Sequence, residues 1–481
     1  MLAFAAAMPT HGTPARAAEP GKEMEQAAKR NVLLIFSDDQ RADTIAALGN
    51  PNIRTPNLDR LVHQGTSFTR AYCMGSTQGA VCVPSRAMLL SGRSLYHVPH
   101  NLEGTPTWPE SFAKQGYTTF FTGKWHNQAA SALRVFQRGK SIFLGGMGHP
   151  YKLQVQDISP EHTFGEKHAN GEHSVQRFAD AAIEFIGGQA AKGPFLCYVP
   201  LTLPHDPRVA PPAYHERYKP ESIPLPANYL PQHPFNNGDL TVRDEQLAPW
   251  PRTPEVVRKH LADYYAAIEF VDTQVGRILD ALRESGQYDD TLIVFASDHG
   301  LAIGSHGLFG KQSLYDHSMH SPLIMAGPGI PKDKRSDALC YLFDIFPTLG
   351  DLAGVPAPEG NEGLSLAPVL DGRKSSTRDS IYTTYAKVQR AVRDDRWKLI
   401  VYPNLHKSQL FDLKADPAET RDLAGDPSYH GEIERLTALL KDWQRKVDDT
   451  LPLKAEVRQS PEFDFSRFKA EQAAKKRAEK S

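Results

Sequence analysis

Four short segments rich in apolar and aromatic residues, each followed at once by polar side chains, constrain the fold of this chain most strongly. Such segments are typical of strands that are buried on both faces of a sheet, as in α/β proteins. They cover residues 31–36, 116–122, 194–201 and 291–296. Apolar residues also recur at helical spacing over 174–189 and 258–285. The sequence therefore predicts an α/β fold, although it does not supply the order of the strands.

Side chains capable of catalysis or metal binding follow each of these segments. Ligands of open α/β sheets bind beyond the carboxyl ends of the strands, so we expect these side chains to share one rim. They are Asp38 and Asp39, Lys124 and His126, His205, and Asp298 and His299. Simpler alternatives exist for single members: one acid of the first pair could cap a helix, and Lys124 and His126 could be a surface lysine and a satisfied core histidine.

A cysteine opens the string Cys-Val-Pro-Ser-Arg at 82–86, which continues into Leu-Leu-Ser-Gly-Arg at 89–93. Pro84 suits the first turn of a helix, where its missing N–H leaves no hydrogen bond unmade. We therefore expect Cys82 just before a helix N-terminus, where the backbone dipoles stabilise anions. Taken alone, a cysteine is more simply a small buried apolar residue.

The string at 82–86 resembles the C-x-P-S-R motif of type I, formylglycine-dependent sulfatases in the alkaline phosphatase superfamily. In that family the cysteine thiol is converted after translation to an aldehyde. The acid pair, the Gly-Lys-Trp-His string at 123–126 and the loop of Lys311 match further family elements in the expected order, so the resemblance runs from 31 to about 413. Within the family, its motifs most resemble those of bacterial glycan sulfatases of the iduronate-2-sulfatase-like kind.

The resemblance implies an alkaline-phosphatase-like mixed sheet sandwiched by helices, with a smaller C-terminal sheet of four antiparallel strands and a helix. The segments 380–385, 396–402 and 409–413 have the pattern of such short strands, and 431–447 that of the helix. The implied organisation is an N-terminal signal or disordered segment at 1–24, a catalytic domain at 25–370, a small subdomain at 371–455 and a tail at 456–481.

The resemblance also implies the role of each site residue. Formylglycine at Cys82 is the nucleophile towards sulfur, and His126 takes a proton from its second hydroxyl. His205, or Lys311 with it, protonates the leaving alcohol. Fixed positive charge around the sulfate comes from Arg86, Lys124 and Lys311.

A divalent cation is implied as well, bound by Asp38, Asp39, Cys82, Asp298 and His299. Calcium, the usual metal of this family, is the expected ion, and it prefers oxygen ligands. His299 offers nitrogen where many family members have asparagine, so manganese and magnesium remain open. An Asp-His pair here also occurs in related phosphonate monoester hydrolases, but those typically lack the double acid at 38–39.

Composition limits the partners of this chain. A formal net charge of -1 gives no global basic field, so we expect no nucleic-acid partner. The four cysteines do not form a disulfide framework, and we predict no pairing. The Ala-rich start resembles the back half of a secretory signal, and no later apolar run is long enough for a membrane span, so we expect a periplasmic or secreted protein.

A proline-dense stretch at 203–254 lies between segments with α/β patterning, where a long loop is more often a lid or binding surface than a linker. It carries Arg208, His215, Arg217 and Lys219, which could pair with carboxylate or sulfate or form a solvated face. The expected substrate is a sulfated oligo- or polysaccharide, and the expected partner is a formylglycine-generating or sulfatase-maturating enzyme. Two alternatives stay open: a phosphonate or phosphate ester hydrolase, and a non-catalytic binder of sulfated glycans if Cys82 is never oxidised.

Overall fold

Sixteen strands form three sheets within residues 29–468 and 470, the part of the chain that the computed structural model describes. In chain order, the first eight are β1 (Asn31–Asp38), β2 (Gly65–Phe68), β3 (Ala71–Tyr72), β4 (Gly75–Ser76), β5 (Thr118–Lys124), β6 (Arg138–Phe143), β7 (Phe195–Pro204) and β8 (Thr291–Ser297). The others are β9 (His320–Ser321), β10 (Leu323–Ala326), β11 (Lys334–Ser336), β12 (Cys340–Tyr341), β13 (Ile381–Tyr385), β14 (Gln389–Arg393), β15 (Trp397–Tyr402) and β16 (Lys407–Asp412).

The largest sheet has the strand order β11-β2-β10-β8-β1-β7-β5-β6. The four strands predicted from the apolar segments are its centre, where β8, β1, β7 and β5 are mutually parallel. Only β10 runs against its neighbours β8 and β2, so the sheet is mixed, as predicted. Because the central strands are parallel, the polar residues that follow them meet at one edge of the sheet.

Helices cover both faces of this sheet. The helices of the described residues are α1 (Pro56–Gln64), α2 (Cys82–Ser91), α3 (Trp108–Lys114), α4 (Ala129–Val135), α5 (Ser174–Gln189), α6 (Pro212–His215), α7 (Pro254–Glu284), α8 (Asp316–Met319), α9 (Ile345–Ala353), α10 (Ala367–Leu370) and α11 (His430–Lys446), of which α11 packs on β14 and β15 instead. Helix α7 begins four residues before its predicted start, because Thr253 caps it and Pro254 occupies its first turn. None of the described helices combines the length and apolar character needed to cross a membrane.

Alternate residues of β1 belong to two different cores. Val32 and Leu34 pack into the core that contains α2, whereas Leu33 and Ile35 pack into the core that contains α5 and α7. All four side chains are fully buried. This two-sided burial explains why the strand is apolar along its length, with no alternation of polar residues.

The C-terminal sheet contains the predicted four antiparallel strands, β13 to β16, with α11 packed against them. A short strand from the N-terminal half, β4, adds to its edge in parallel with β13. Since β4 ends six residues before Cys82, the C-terminal sheet supports the segment that carries the cysteine. The predicted segment at 1–24 lies outside the described residues, as does the end of the predicted tail beyond Ala470.

Candidate active site

Cys82 lies at the first residue of α2 rather than just before the helix, because the helix already starts there, with Pro84 in its first turn. The side chain is buried, and its Sγ lies 3.3 Å from Nδ1 of His126 and 3.7 Å from Nζ of Lys124. Burial raises the pKa of the thiol, but the charges of Lys124 and Lys311 outweigh it, so the pKa is lowered. The helix start and two lysines therefore favour negative charge at this position.

His126 is half-buried beside the cysteine, in the left-handed region at a φ of 67°. Burial, and then the charge of Lys124, lowers the pKa of its imidazole to about 3. The ring is thus neutral near pH 7, and its Nδ1, which faces the Sγ, is able to accept a proton.

Asp38 ends strand β1 and is fully buried. Its Oδ2 accepts a hydrogen bond from Nζ of Lys124 at 2.5 Å and lies 3.6 Å from Arg86. Burial raises the pKa of this carboxyl, but these two cations outweigh it and hold the pKa well below its ordinary value. Its other oxygen, Oδ1, has no hydrogen-bond partner among the described residues.

Asp39 follows with a φ of 66°, in the left-handed region that side chains rarely adopt. Its carboxylate accepts from Nζ of Lys311 at 2.8 Å and lies 3.8 Å from Nε2 of His205. The hydroxyl of Tyr264 on α7 donates to the Asp39 carbonyl at 2.6 Å and accepts from the backbone N–H of Arg41 at 2.8 Å. Tyr264 therefore holds the unusual backbone of Asp39.

Asp298 and His299 follow strand β8. Oδ1 of Asp298 accepts from the backbone N–H of Asp39 at 3.0 Å, and Oδ2 accepts from Arg86 at 3.1 Å. Burial, and then the negative charges of Asp38 and Asp39, raises the pKa of Asp298 to about 8. Nδ1 of His299 is bonded to the neighbouring carbonyl, whereas its buried Nε2 has no partner among the described residues.

The structure thus brings every predicted site residue to one edge of the sheet. Their potential ligand atoms form two groups in which all atoms lie within 4.8 Å of one another: Asp38, Asp39 and His205 in one, and Cys82, Asp298 and His299 in the other. The donor atoms suit divalent cations, because each group contains a residue with a buried ligand atom that has no partner among the described residues, Oδ1 of Asp38 in one and Nε2 of His299 in the other. Positive charge would also offset the repulsion among the three buried acids. The sequence did not assign His205 to the ligand groups.

Comparison with known proteins identifies the fold and the activity. The sulfatase family model matches residues 30–355, and the model for the C-terminal part of N-sulphoglucosamine sulphohydrolase matches 304–446. The chain belongs to the sulfatase family. It is 30% identical to a sulfatase of Formosa agariphila, covering 88% of this chain and 89% of that protein. It is 25% identical to the N-acetylglucosamine-6-O-sulfatase of Bacteroides thetaiotaomicron, over 91% of this chain and 90% of that protein.

Solved structures agree with this assignment. One of a protein in complex with its substrate D-glucosamine-2-N,6-O-disulfate has a TM-score of 0.76 and 25% identity, covering 89% of this chain and 100% of that one. The phosphonate monoester hydrolase of Agrobacterium radiobacter has a TM-score of 0.72, but its 24% identity shows only a shared fold, over 87% and 96% of the chains. This sulfatase is therefore a sulfuric ester hydrolase.

A 3₁₀ turn at Arg243–Leu247, within the proline-dense stretch, supports the lysine loop of the sulfatase. The carboxylate of Glu245 accepts from the backbone N–H groups of Phe309, at 2.9 Å, and Gly310, at 2.8 Å. It also accepts from the fully buried Arg252 at 2.7 Å. Since Lys311 follows directly, this stretch is built into the site. No sequence motif marks Glu245, so its role was not predicted.

We expect Glu245→Gln to lower the free energy of unfolding by about 3 kcal/mol, because it leaves the charge of Arg252 buried without a counter-ion. Turnover falls as well, since the backbone before Lys311 loses its support. Denaturant unfolding monitored by circular dichroism, together with kcat/KM, measures both effects. Glu255→Gln, an exposed acid in the first turn of α7, is the matched control and changes neither quantity appreciably. Equal stability of the two variants would contradict this role.

Proposed function

We propose that this sulfatase removes sulfate from sugar esters with the side chain of Cys82, oxidised to formylglycine, as its nucleophile. The observation that carries the proposal is the setting of Sγ: it lies at a helix start, between a neutral histidine and a lysine that itself binds Asp38. In the mature enzyme the oxygens of the hydrated aldehyde would replace Sγ on the same Cβ. Conversion of a thiol to an aldehyde is an oxidation, and the proposed partner for it is a formylglycine-generating or sulfatase-maturating enzyme.

The proposed cation ligands are Asp38, Asp39, Asp298, His299 and the modified Cys82. A divalent cation held there would supply Lewis-acid stabilisation of the sulfate and would favour a deprotonated nucleophile. Calcium is the proposed ion, because carboxylate oxygens predominate and Oδ1 of Asp38 has no partner among the residues that the structure describes. Manganese or magnesium is the alternative that the imidazole of His299 favours.

The remaining side chains of the site would stabilise the negative charge of the sulfate and transfer protons. Arg86 and Lys124 hold positive charge at fixed points beside the nucleophile, an electrostatic contribution that requires no reorganisation during the reaction. Lys311 does the same on the side of Asp39. His205, together with Lys311, would protonate the alcohol that leaves, and His126 would take the proton of the second aldehyde hydrate hydroxyl, which allows sulfate to depart.

The proposed substrate class is a sulfated carbohydrate. Two relatives support it: the N-acetylglucosamine-6-O-sulfatase and the protein solved with a disulfated glucosamine. A phosphonate monoester hydrolase is the second candidate, favoured by the pair Asp298-His299, but the double acid at 38–39 argues for sulfate. We expect the purified enzyme to turn over 4-nitrophenyl sulfate with a higher kcat/KM than the matching aryl phosphonate; the reverse order would contradict the proposal.

The domain limits and the location are part of the proposal. A catalytic domain at 25–370 and a small subdomain at 371–455 agree with the separate C-terminal sheet, although β4 joins that sheet from the catalytic side. A periplasmic or secreted location suits an enzyme that acts on large anionic sugars.

A further inference from the structure

Arg208 is a buried cation without a counter-ion. Its side chain follows β7, the residue is 8% exposed, and it forms no hydrogen bond or ion pair with any residue that the structure describes. Nε and Nη2 are both buried and without a partner. The guanidinium lies over the ring of Tyr264, with its central carbon 5.6 Å from the ring centroid.

Such a state is unfavourable, because a charge removed from water must be compensated by an opposite charge and by hydrogen bonds. The other ionisable residues of the same stretch do not share this property. His215 lies 3.1 Å from Asp263. Arg217 forms an ion pair with Glu269, and Lys219 is exposed. Among the four side chains that the sequence singled out in this stretch, Arg208 alone is both buried and unpaired within the described residues.

Arg208 lies beside the segments that carry the active site. It follows His205 by three residues, and its guanidinium lies over the ring of Tyr264, whose hydroxyl donates a hydrogen bond to the Asp39 carbonyl. Burial, and then the charge of Arg208, lowers the pKa of His260 to about 4, so this neighbour is neutral near pH 7. His260 in turn packs edge-on against Phe309, in the loop of Lys311.

We propose that Arg208 binds a second anionic group, a carboxylate or a further sulfate, on a sugar whose sulfate ester lies at Cys82. The inference rests on the proposed function and deepens it, since it makes Arg208 a specificity residue for doubly anionic sugars. A guanidinium suits this role, because its planar fork pairs bidentately with carboxylate or sulfate and keeps its charge when buried. The unpaired Nε and Nη2 are the donors that such a fork uses.

The test compares wild type with Arg208→Gln on matched substrates. One pair is glucosamine 6-O-sulfate and glucosamine-2-N,6-O-disulfate, which differ by a sulfate; the other is glucose 2-O-sulfate and glucuronate 2-O-sulfate, which differ by a carboxylate. Within the substrate pair that the enzyme hydrolyses, we expect the substitution to lower kcat/KM for the doubly anionic sugar about tenfold to a hundredfold more than for the singly anionic sugar. This is the effect of losing one charge-assisted hydrogen bond. The pair that responds identifies the second anion.

Two further variants complete the design. Arg217→Gln removes a cation from the same stretch, and we expect it to leave the preference for the doubly anionic sugar unchanged. Arg208→Lys keeps the positive charge but loses the planar fork of donors, and we expect it to retain part of that preference. Equal losses on both members of each pair would mean that Arg208 merely supports Tyr264, and unchanged kinetics would mean that it binds nothing; either result overturns the inference. Failure of wild type to hydrolyse any of the four sugar esters or 4-nitrophenyl sulfate contradicts the proposed function, and this inference with it. Turnover of the sugar esters with an unchanged preference in Arg208→Gln contradicts this inference alone.

Discussion

Cys82→Ala abolishes sulfate ester hydrolysis, with an expected loss in kcat of at least about 10⁴-fold, because the nucleophile is removed and no neighbouring group replaces it. The lysines, Arg86 and the acids remain, so the variant should still bind substrate. Turnover of 4-nitrophenyl sulfate, followed at enzyme concentrations high enough to detect the residual rate, measures the loss.

The fold of this variant should be intact, since the substitution removes only the thiol, or the aldehyde that replaces it, from one buried side chain. Near-identical circular dichroism and a small change in melting temperature would show this. Cys340→Ala is the matched control: the residue is equally buried, but it lies on β12, away from the site, and its loss leaves turnover within a few-fold of wild type. Activity of Cys82→Ala comparable to wild type would rule out covalent catalysis.

Removal of the cation is the second change with a large expected effect. Chelation should lower turnover by about a thousandfold or more, because the Lewis acid contributes several kcal/mol to stabilisation of the transition state. Activity should return when calcium is added back. Parallel titrations with manganese and magnesium identify which ion the site prefers.

Metal content, measured by elemental analysis, should follow the acids of the two ligand groups. Asp39→Asn and Asp298→Asn are expected to bind substoichiometric metal, since each loses a carboxylate that faces the other potential ligands. Asp280→Asn on the exposed side of α7 is the control and keeps the wild-type content. An enzyme that is fully active with no bound metal would refute the role of the cation.

The sequence predicted the central strands and the side chains at their ends, because a strand that is buried on both faces requires a short continuous apolar run. Strand order remained open, since pairing joins residues far apart in the chain: Leu33 of β1 lies opposite Cys197 on one side and Ile293 on the other. The two-residue strand β4 is too short for any pattern to mark.

Supporting residues in the site were missed for a different reason. Tyr264 lies within the apolar stripe of α7, where an aromatic residue is fully explained by packing, and only the structure reveals its hydroxyl at Asp39. Glu245 lies in a stretch whose apolar residues follow no regular spacing. Its carboxylate oxygens accept hydrogen bonds from backbone N–H groups that are 64 residues or more away in the chain. Motifs mark the groups that react, whereas the groups that position them depend on tertiary contacts.

Mass spectrometry of the peptide that spans Cys82 determines whether the side chain at this position is a thiol or an aldehyde. The protein is purified in active form from cells that contain a sulfatase-maturation enzyme, digested, and treated with a hydrazide reagent that captures aldehydes. We expect a peptide in which an aldehyde has replaced the thiol at Cys82 and which the hydrazide captures. An active preparation in which this peptide carries only the unmodified thiol would contradict it.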